Sequence, residues 1–252
     1  MKDIQSQLDH RRVDIKKVGV KTICYPITVL DKAKKRQHTV ATVNMYVNLP
    51  HRFKGTHMSR FIEILNRFHG EIDLNSFHRI LEEMKKRLQA EAAHIEISFP
   101  YFLRKDNGSE LLQACRYECQ MHGSLDNTDE LELKFAVPIS LPVNIQKMTS
   151  LPSSLGHWGN AVIAVRFRHF VWIEDLIMLV EKGILDVQHE GDGHSHDCIL
   201  SVEGLTSKIS ERLLTQKEIK WYSVTVENLG EGYSTFAATE SGEREQRSFP
   251  EP

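Results

Sequence analysis

TVATVNMYVNLP, residues 39–50, is the stretch whose reading decides the fold. Thr39, Ala41, Val43, Met45 and Val47 fall on alternate positions, the period of a strand that buries one face. Working outward, VGVKTICYPITVL (18–30) also reads as extended, with Cys24 expected inside. Downstream the period changes. In HMSRFIEILNRF (57–68), Met58, Phe61, Ile62, Leu65 and Phe68 form one helical stripe, and Gly70 stands where that helix would end. A second helix runs from about Asn75, with Phe77, Ile80, Leu81, Met84 and Leu88 inward. HIEISFPYF (94–102) returns to alternation through Ile95, Ile97 and Phe99, and another strand lies near 113–122.

The same order then recurs. Leu131, Leu133, Phe135 and Val137 alternate, as do Ile163, Val165 and Phe167. WIEDLIMLVEKG (172–183) reads as a helix closed by Gly183, and SVEGLTSKISERLL (201–214) as a helix with Val202, Leu205, Ile209 and Leu213 inward. WYSVTVEN (221–228) and YSTFAAT (233–239) are strands. Two copies of strand–strand–helix–helix–strand–strand make an internal repeat of pattern. Short connections pair such strands antiparallel and lay the helices on one face, which is an α+β class. The expected organisation is an N-terminal segment 1–16, a first unit 17–124, a second unit 125–239 and a disordered tail 240–252.

Composition limits the function. The chain has 252 residues, 40% of them hydrophobic, enough for a packed core. With 32 basic and 34 acidic side chains it lacks the basic excess of a nucleic-acid binder. Its polar start and the absence of a long apolar run argue against secretion and membrane insertion, and its four cysteines make no disulfide framework. The expectation is a soluble cytoplasmic protein with no membrane and no nucleic-acid partner. Cys115 and Cys119 would share a strand face ~13 Å apart, too far for a disulfide.

KGTHMSRFIE (54–63) resembles the signature of the GTP cyclohydrolase IB family. DIQSQLD (3–9), VGVKTICYPI, TVATVNMYVNLP, ISFPYF (97–102) and SVEGLTSKISERL match that family's order, so the resemblance covers roughly residues 3 to 239. It implies the tunnelling fold, two tandem ββααββ units per chain. It also implies a homo-oligomer, a dimer or tetramer, with active sites near subunit interfaces. The implied reaction hydrolyses GTP to 7,8-dihydroneopterin triphosphate and formate, the entry to folate and pterins. Water must attack the purine's imidazole carbon, which a divalent metal (Zn, Mn or Fe) and acid–base groups make possible.

The resemblance also suggests residues. The family's purine-holding Glu matches Glu203, since a carboxylate can accept two parallel N–H bonds from a guanine edge; the alternative is a first-turn Glu that complements a helix dipole. His157 in SLGHWGN matches a His that ligates the metal, and it is a catalytic candidate together with Glu227, which remains from the family's last-strand pattern. Lys54, His57 and Arg60 lie where a helix N-terminus would meet a phosphate, although His57 equally suits a structural cap. The chain departs from the family elsewhere. Val143 and Ile145 occupy the positions of two cysteines, the first a metal ligand. Tyr233 and Thr235 stand near two histidine positions, and LRKDNGSELL replaces an Ala-Pro-Val-Ser-Gly stretch.

In place of the family's last ligand segment the chain has QHEGDGHSHDC (188–198), read as a loop between the two helices of the second unit. Glu190 is its nearest carboxylate. His194 and His196 alternate, so in extended backbone both face one way, and with His157 or Cys198 they can give Zn²⁺ three or four ligands. The other reading is a polar loop with no metal. Three functions therefore stand open: a cyclohydrolase with a rebuilt metal site, a catalytically degenerate paralogue that binds a purine or pterin nucleotide or pairs with an active homologue, and a tunnelling-fold enzyme with a different pterin or purine reaction.

Overall fold

In the first half of the computed structural model, the central stretches of the long strands bury every second residue, and the helices of that half bury their apolar stripes as well. The model describes residues 15–33, 35–49, 57–68, 70–72, 74–105, 113–140, 157–190, 200–230 and 232–242. The chain divides into two compact units, residues 1–135 and 136–252.

In the first unit, β1 (Ile15–Asp31) and β2 (Lys35–Leu49) form a long antiparallel hairpin. Helix α1 (Ser59–Arg67), a two-residue strand β3 (Glu71–Ile72) and helix α2 (Leu74–Leu88) follow. Strand β4 (Ala92–Lys105) pairs antiparallel with β2, and β5 (Gln113–Leu125) antiparallel with β4, giving the order β3-β1-β2-β4-β5. Strand β3 runs parallel to β1 and is absent from the sequence reading. The predicted inner residues hold. Ala41, Val43, Met45, Val47, Ile95, Ile97 and Phe99 are buried on the strands, and Phe77, Ile80, Leu81, Met84 and Leu88 on α2.

Three local expectations change. Cys24 is exposed, because the β1–β2 register shifts between Val20 and Ile23 and turns the odd-numbered residues inward from there. Thr22 sits in that bulge at φ 59°, and its amide donates to Asn44 Oδ1 at 2.9 Å. On α1 the buried stripe is Phe61, Ile64 and Leu65, while Met58 and Ile62 are exposed. Gly70, at φ +71°, does follow α1 as expected, and a Cβ there would lie 2.3 Å from the Pro26 carbonyl oxygen.

Strand β6 (Asp129–Ser140) begins in the first unit and ends in the second. An Asx turn precedes it, with the Thr128 amide on Asp126 Oδ1 at 2.8 Å. The second unit continues with β7 (His157–Phe167), α3 (Ile173–Glu190), α4 (Val202–Leu214), β8 (Ile219–Leu229) and β9 (Ser234–Glu240). Strands β7, β8 and β9 pair antiparallel in that order. Val202, Leu205, Ile209 and Leu213 are buried, as their spacing predicts. Helix α3 passes through Gly183 instead of ending there. A Cβ at Gly183 would stand 3.2 Å from Arg212 Cδ and 3.4 Å from Ile209 Cγ1, so this glycine serves close approach of α3 and α4. The helix consequently absorbs Gln188, His189 and Glu190, which were read as loop. Among the described residues no helix is long and apolar enough to cross a membrane.

Candidate active site

Helix α4 begins with a well-made cap. Ser201 is extended (φ −109°, ψ 144°), and its Oγ accepts the Gly204 amide at 3.0 Å. Val202 is buried against the core, and the Thr206 hydroxyl donates to the Val202 carbonyl at 2.7 Å and lies 3.3 Å from the Ala237 carbonyl of β9. These ties fix the first turn. Glu203, one residue round from Val202, is therefore carried on a rigid mount with its side chain exposed. No hydrogen bond or ion pair among the described residues engages it.

Glu227 sits on β8 opposite Asn160 of β7 and Phe236 of β9, half-buried. Val224 and Val226 point into the core, so Glu227 belongs to the opposite face of the sheet. Its neighbour Asn228 donates from Nδ2 to the Trp158 carbonyl at 3.0 Å, locking this end of the β7–β8 ladder. His157 opens β7 two residues before Gly159, which pairs with Asn228, so His157 and Glu227 fall at the same end of that ladder.

Helix α1 starts differently. Its N-cap, Met58, has a helical backbone (φ −61°, ψ −32°) and makes no side-chain cap. The first amides turn tightly onto the chain instead, Arg60 N–H to the His57 carbonyl at 3.1 Å and Phe61 N–H to the Met58 carbonyl at 3.2 Å. The half-buried Arg60 points Nη1 at the Arg87 carbonyl, 3.5 Å away, at the end of α2. Lys54 lies outside the described residues, as do Val143, Ile145, His194, His196, Cys198, residues 1–14 and the tail from 243. Ahead of that tail, Glu240 closes β9 and the Ser241 hydroxyl accepts the Tyr222 amide at 2.9 Å. Among the described residues no three His, Cys, Asp or Glu side chains converge on a point where a cation would fit.

A polar cluster that the sequence reading missed lies on the helix-free face of the first unit. Tyr46 of β2 stacks on His94 of β4 (centroids 4.8 Å apart), and His94 lies parallel to His122 of β5 at 6.4 Å. The Lys17 ammonium stands 3.6 Å from the Tyr46 ring centre. Tyr46 Oη donates to Glu96 Oε1 at 3.1 Å, and Asn44 Nδ2 to Glu96 Oε2 at 3.0 Å. Burial and the adjacent Glu96 charge push the Tyr46 phenol up to about 12. Burial alone would raise Glu96. The bonds from Asn44 and Tyr46, with the charges of His122 and Lys17, outweigh it and hold the carboxyl below its ordinary value. The alternation of 44, 46, 94, 96 and 122 was visible as the outer phase of three strands. Which residues meet depends on register, Tyr46 opposite His94 and Glu96 opposite His122.

Antiparallel strands with two helices per unit define a tunnelling-fold protein, and the known structures agree. Uricase from Arthrobacter globiformis matches over 94% of this chain and 96% of its own, with TM-score 0.60 at 8% identity. Urate oxidase from Bacillus subtilis 168 matches over 90% and 98%, with TM-score 0.56 at 10% identity. At those identities the likeness is one of fold alone. Sequence relatives narrow the class. The family model described as type I GTP cyclohydrolase folE2 matches residues 1–188. GTP cyclohydrolase FolE2 of Syntrophus aciditrophicus (strain SB) is 42% identical over 243 residues, covering 90% of this chain and 94% of that protein. The FolE2 of Syntrophotalea carbinolica (strain DSM 2380 / NBRC 103641 / GraBd1) is 38% identical over 264 residues, covering 100% and 99%. The chain belongs to the type I GTP cyclohydrolase FolE2 family.

Proposed function

We propose that this chain is a cytoplasmic, metal-dependent GTP cyclohydrolase that hydrolyses GTP to 7,8-dihydroneopterin triphosphate and formate at the entry to folate and pterins. The observation that carries the reading is the rigid, unengaged carboxylate of Glu203 in the first turn of α4. It accepts two N–H bonds from the guanine edge and sets the imidazole ring in register. Lys54, His57 and Arg60 receive the triphosphate at the start of α1, whose amides no side chain of the N-cap residue occupies. His157 and Glu227 move protons at the end of the β7–β8 ladder.

The metal ligands are drawn from His157, Glu190, His194, His196 and Cys198. Imidazole, carboxylate and thiolate donors suit Zn, Mn or Fe, whereas Val143 and Ile145 offer none. Bound there, the cation supplies the Lewis acidity that brings deprotonation of water toward neutral pH. The functional unit is a homodimer or homotetramer. Strand β9 ends its ladder with Tyr233 and Phe236 of the same segment 73% and 69% exposed, an edge suited to association.

Val143, Tyr233 and Thr235 favour a second reading, a degenerate paralogue that binds a purine or pterin nucleotide without turnover. Purified protein is incubated with GTP and Zn²⁺, Mn²⁺ or Fe²⁺ under reducing conditions, and pterin fluorescence is read after oxidation. Product with one of these metals supports the enzyme. GTP binding with no product under any of them removes the cyclohydrolase reading and supports the second.

A further inference from the structure

The end of α1, the outer side of α2 and the end of β5 border an open groove of about 830 Å³ in the first unit, lined by Arg67, Phe68, Arg79, Lys85, Lys86 and Leu125 together with Glu82 and Glu83. A volume of that order holds a nucleotide-sized ligand. Of its two carboxylates, Glu83 is held by arginines and Glu82 is exposed beside an imidazole. Glu83 binds Arg67 at 2.8 Å and also pairs with Arg87, and Glu82 lies 3.3 Å from His78. The remaining cations have no carboxylate partner among the described residues. Lys85 donates to the neutral Asp126 carbonyl at 2.8 Å, Arg79 lies over the Phe68 ring at 5.5 Å, and Lys86 is exposed.

Basic residues in a last helical turn are ordinary partners of the helix dipole, which accounts for Arg67, Lys85, Lys86 and Arg87. It does not account for Arg79, which is mid-helix, leans on an aromatic ring and faces the same concavity. From that juxtaposition we infer that the groove is a second anion site, taking the phosphate chain of an organic polyphosphate between Arg79, Lys85 and Lys86, with its flat group against Phe68. Guanidinium forks and ammonium groups are the side chains that recognise phosphate, and a concave surface suits a small ligand. The site is separate from the start of α1, roughly 12 Å away along that helix. It does not require cyclohydrolase activity.

Calorimetric titration of the full chain with inorganic tripolyphosphate tests this. Binding is expected to weaken at least about tenfold in an Arg79→Glu/Lys86→Glu variant, and by less in Arg79→Gln/Lys86→Gln, which keeps the surface intact without adding charge. Far-UV circular dichroism checks that both variants fold. Arg60→Ala is expected to leave the groove event in place. Absence of tripolyphosphate binding overturns the inference, as does a titration lost in Arg60→Ala and unchanged in the groove variants. Repeating the titration with GTP on Glu203→Gln/Arg60→Ala protein, in which the proposed substrate site is disabled, separates a site for the phosphate chain alone from one that also grips the ring: tighter binding of GTP than of tripolyphosphate, abolished when the groove substitutions are added, supports the contact with Phe68. GTP binding that those substitutions leave untouched removes it.

Discussion

Two glutamates, Glu96 in the first unit and Glu203 in the second, differ in what surrounds them. Glu96 lies on a sheet face with both oxygens occupied, one by the Tyr46 hydroxyl and one by the Asn44 amide, and its charge is stabilised by those bonds. Glu203 stands on a first turn that is capped and tied down, and the carboxylate itself is exposed and unengaged. A carboxylate whose bonds are all internal contributes to the fold. One that is held in place with its lone pairs open is free to meet a ligand, which is the role proposed for Glu203. Stability and activity should therefore separate cleanly between these positions.

The largest effect is expected from Glu203→Gln. Replacing one acceptor oxygen by a donor breaks the paired recognition of a guanine edge, and turnover of GTP should fall by roughly a hundredfold or more, the scale of a lost charge-assisted pair that orients the reacting ring. Its urea midpoint should stay close to wild type, since a first-turn acid is worth only about 0.3–1 kcal/mol to the helix. A large stability loss with unchanged kcat/KM would assign Glu203 to the helix dipole and remove it from the site.

Glu96→Ala should show the reverse. The Tyr46 hydroxyl and the Asn44 amide lose their shared acceptor, at a cost of about 1–3 kcal/mol in chemical denaturation. GTP turnover at a temperature where the variant is folded should stay within a few-fold. Ser201→Ala sharpens the contrast from the other side. Loss of the bond from Gly204 should cost about 1 kcal/mol. Because the cap also fixes the mount of Glu203, KM for GTP should rise as well. Unaltered kinetics alongside the expected stability loss would mean that the cap supports the helix alone.

How much of this was legible follows from what a periodic pattern encodes. Burial repeats every second residue in β2, β4 and β8 and along one stripe in α2 and α4, so those elements and their inner residues could be read directly. A phase change is invisible to the pattern. The bulge at Thr22 turned Cys24 outward, and close packing, not termination, explains Gly183. The Tyr46–Glu96–His94–His122 cluster depends on strand register, which separates its members by up to 76 positions in the chain (122 − 46 = 76). The place of Glu203 in the first turn of α4 was legible because cap, acid and apolar run are adjacent in sequence, while the role proposed for it comes from the family resemblance. Its freedom from partners was not, because that depends on what the rest of the unit leaves unfilled.

The smallest effect concerns acid. His94 is held below its ordinary value of 6.5, first by burial and then by the charges of His122 and Lys17, with Asp126 and Glu96 opposing. Asn44 and the Tyr46 phenol complete the surroundings of this group. As pH falls through 6.5 the unfolded chain takes up a proton that folded His94 still refuses, so stability declines from there down to the folded pKa. Glu96 adds a later loss, present above 4.5 and removed as pH falls through its own lowered value. Each contribution is bounded by one proton, a slope of at most about 1.4 kcal/mol per pH unit. In His94→Gln, urea midpoints should decline less steeply as pH falls from 6.5, while the loss below pH 4.5 persists. If the upper slope survives that substitution, the proton is taken up elsewhere, and the stack of Tyr46, His94 and His122 does not desolvate His94 in the way its geometry requires.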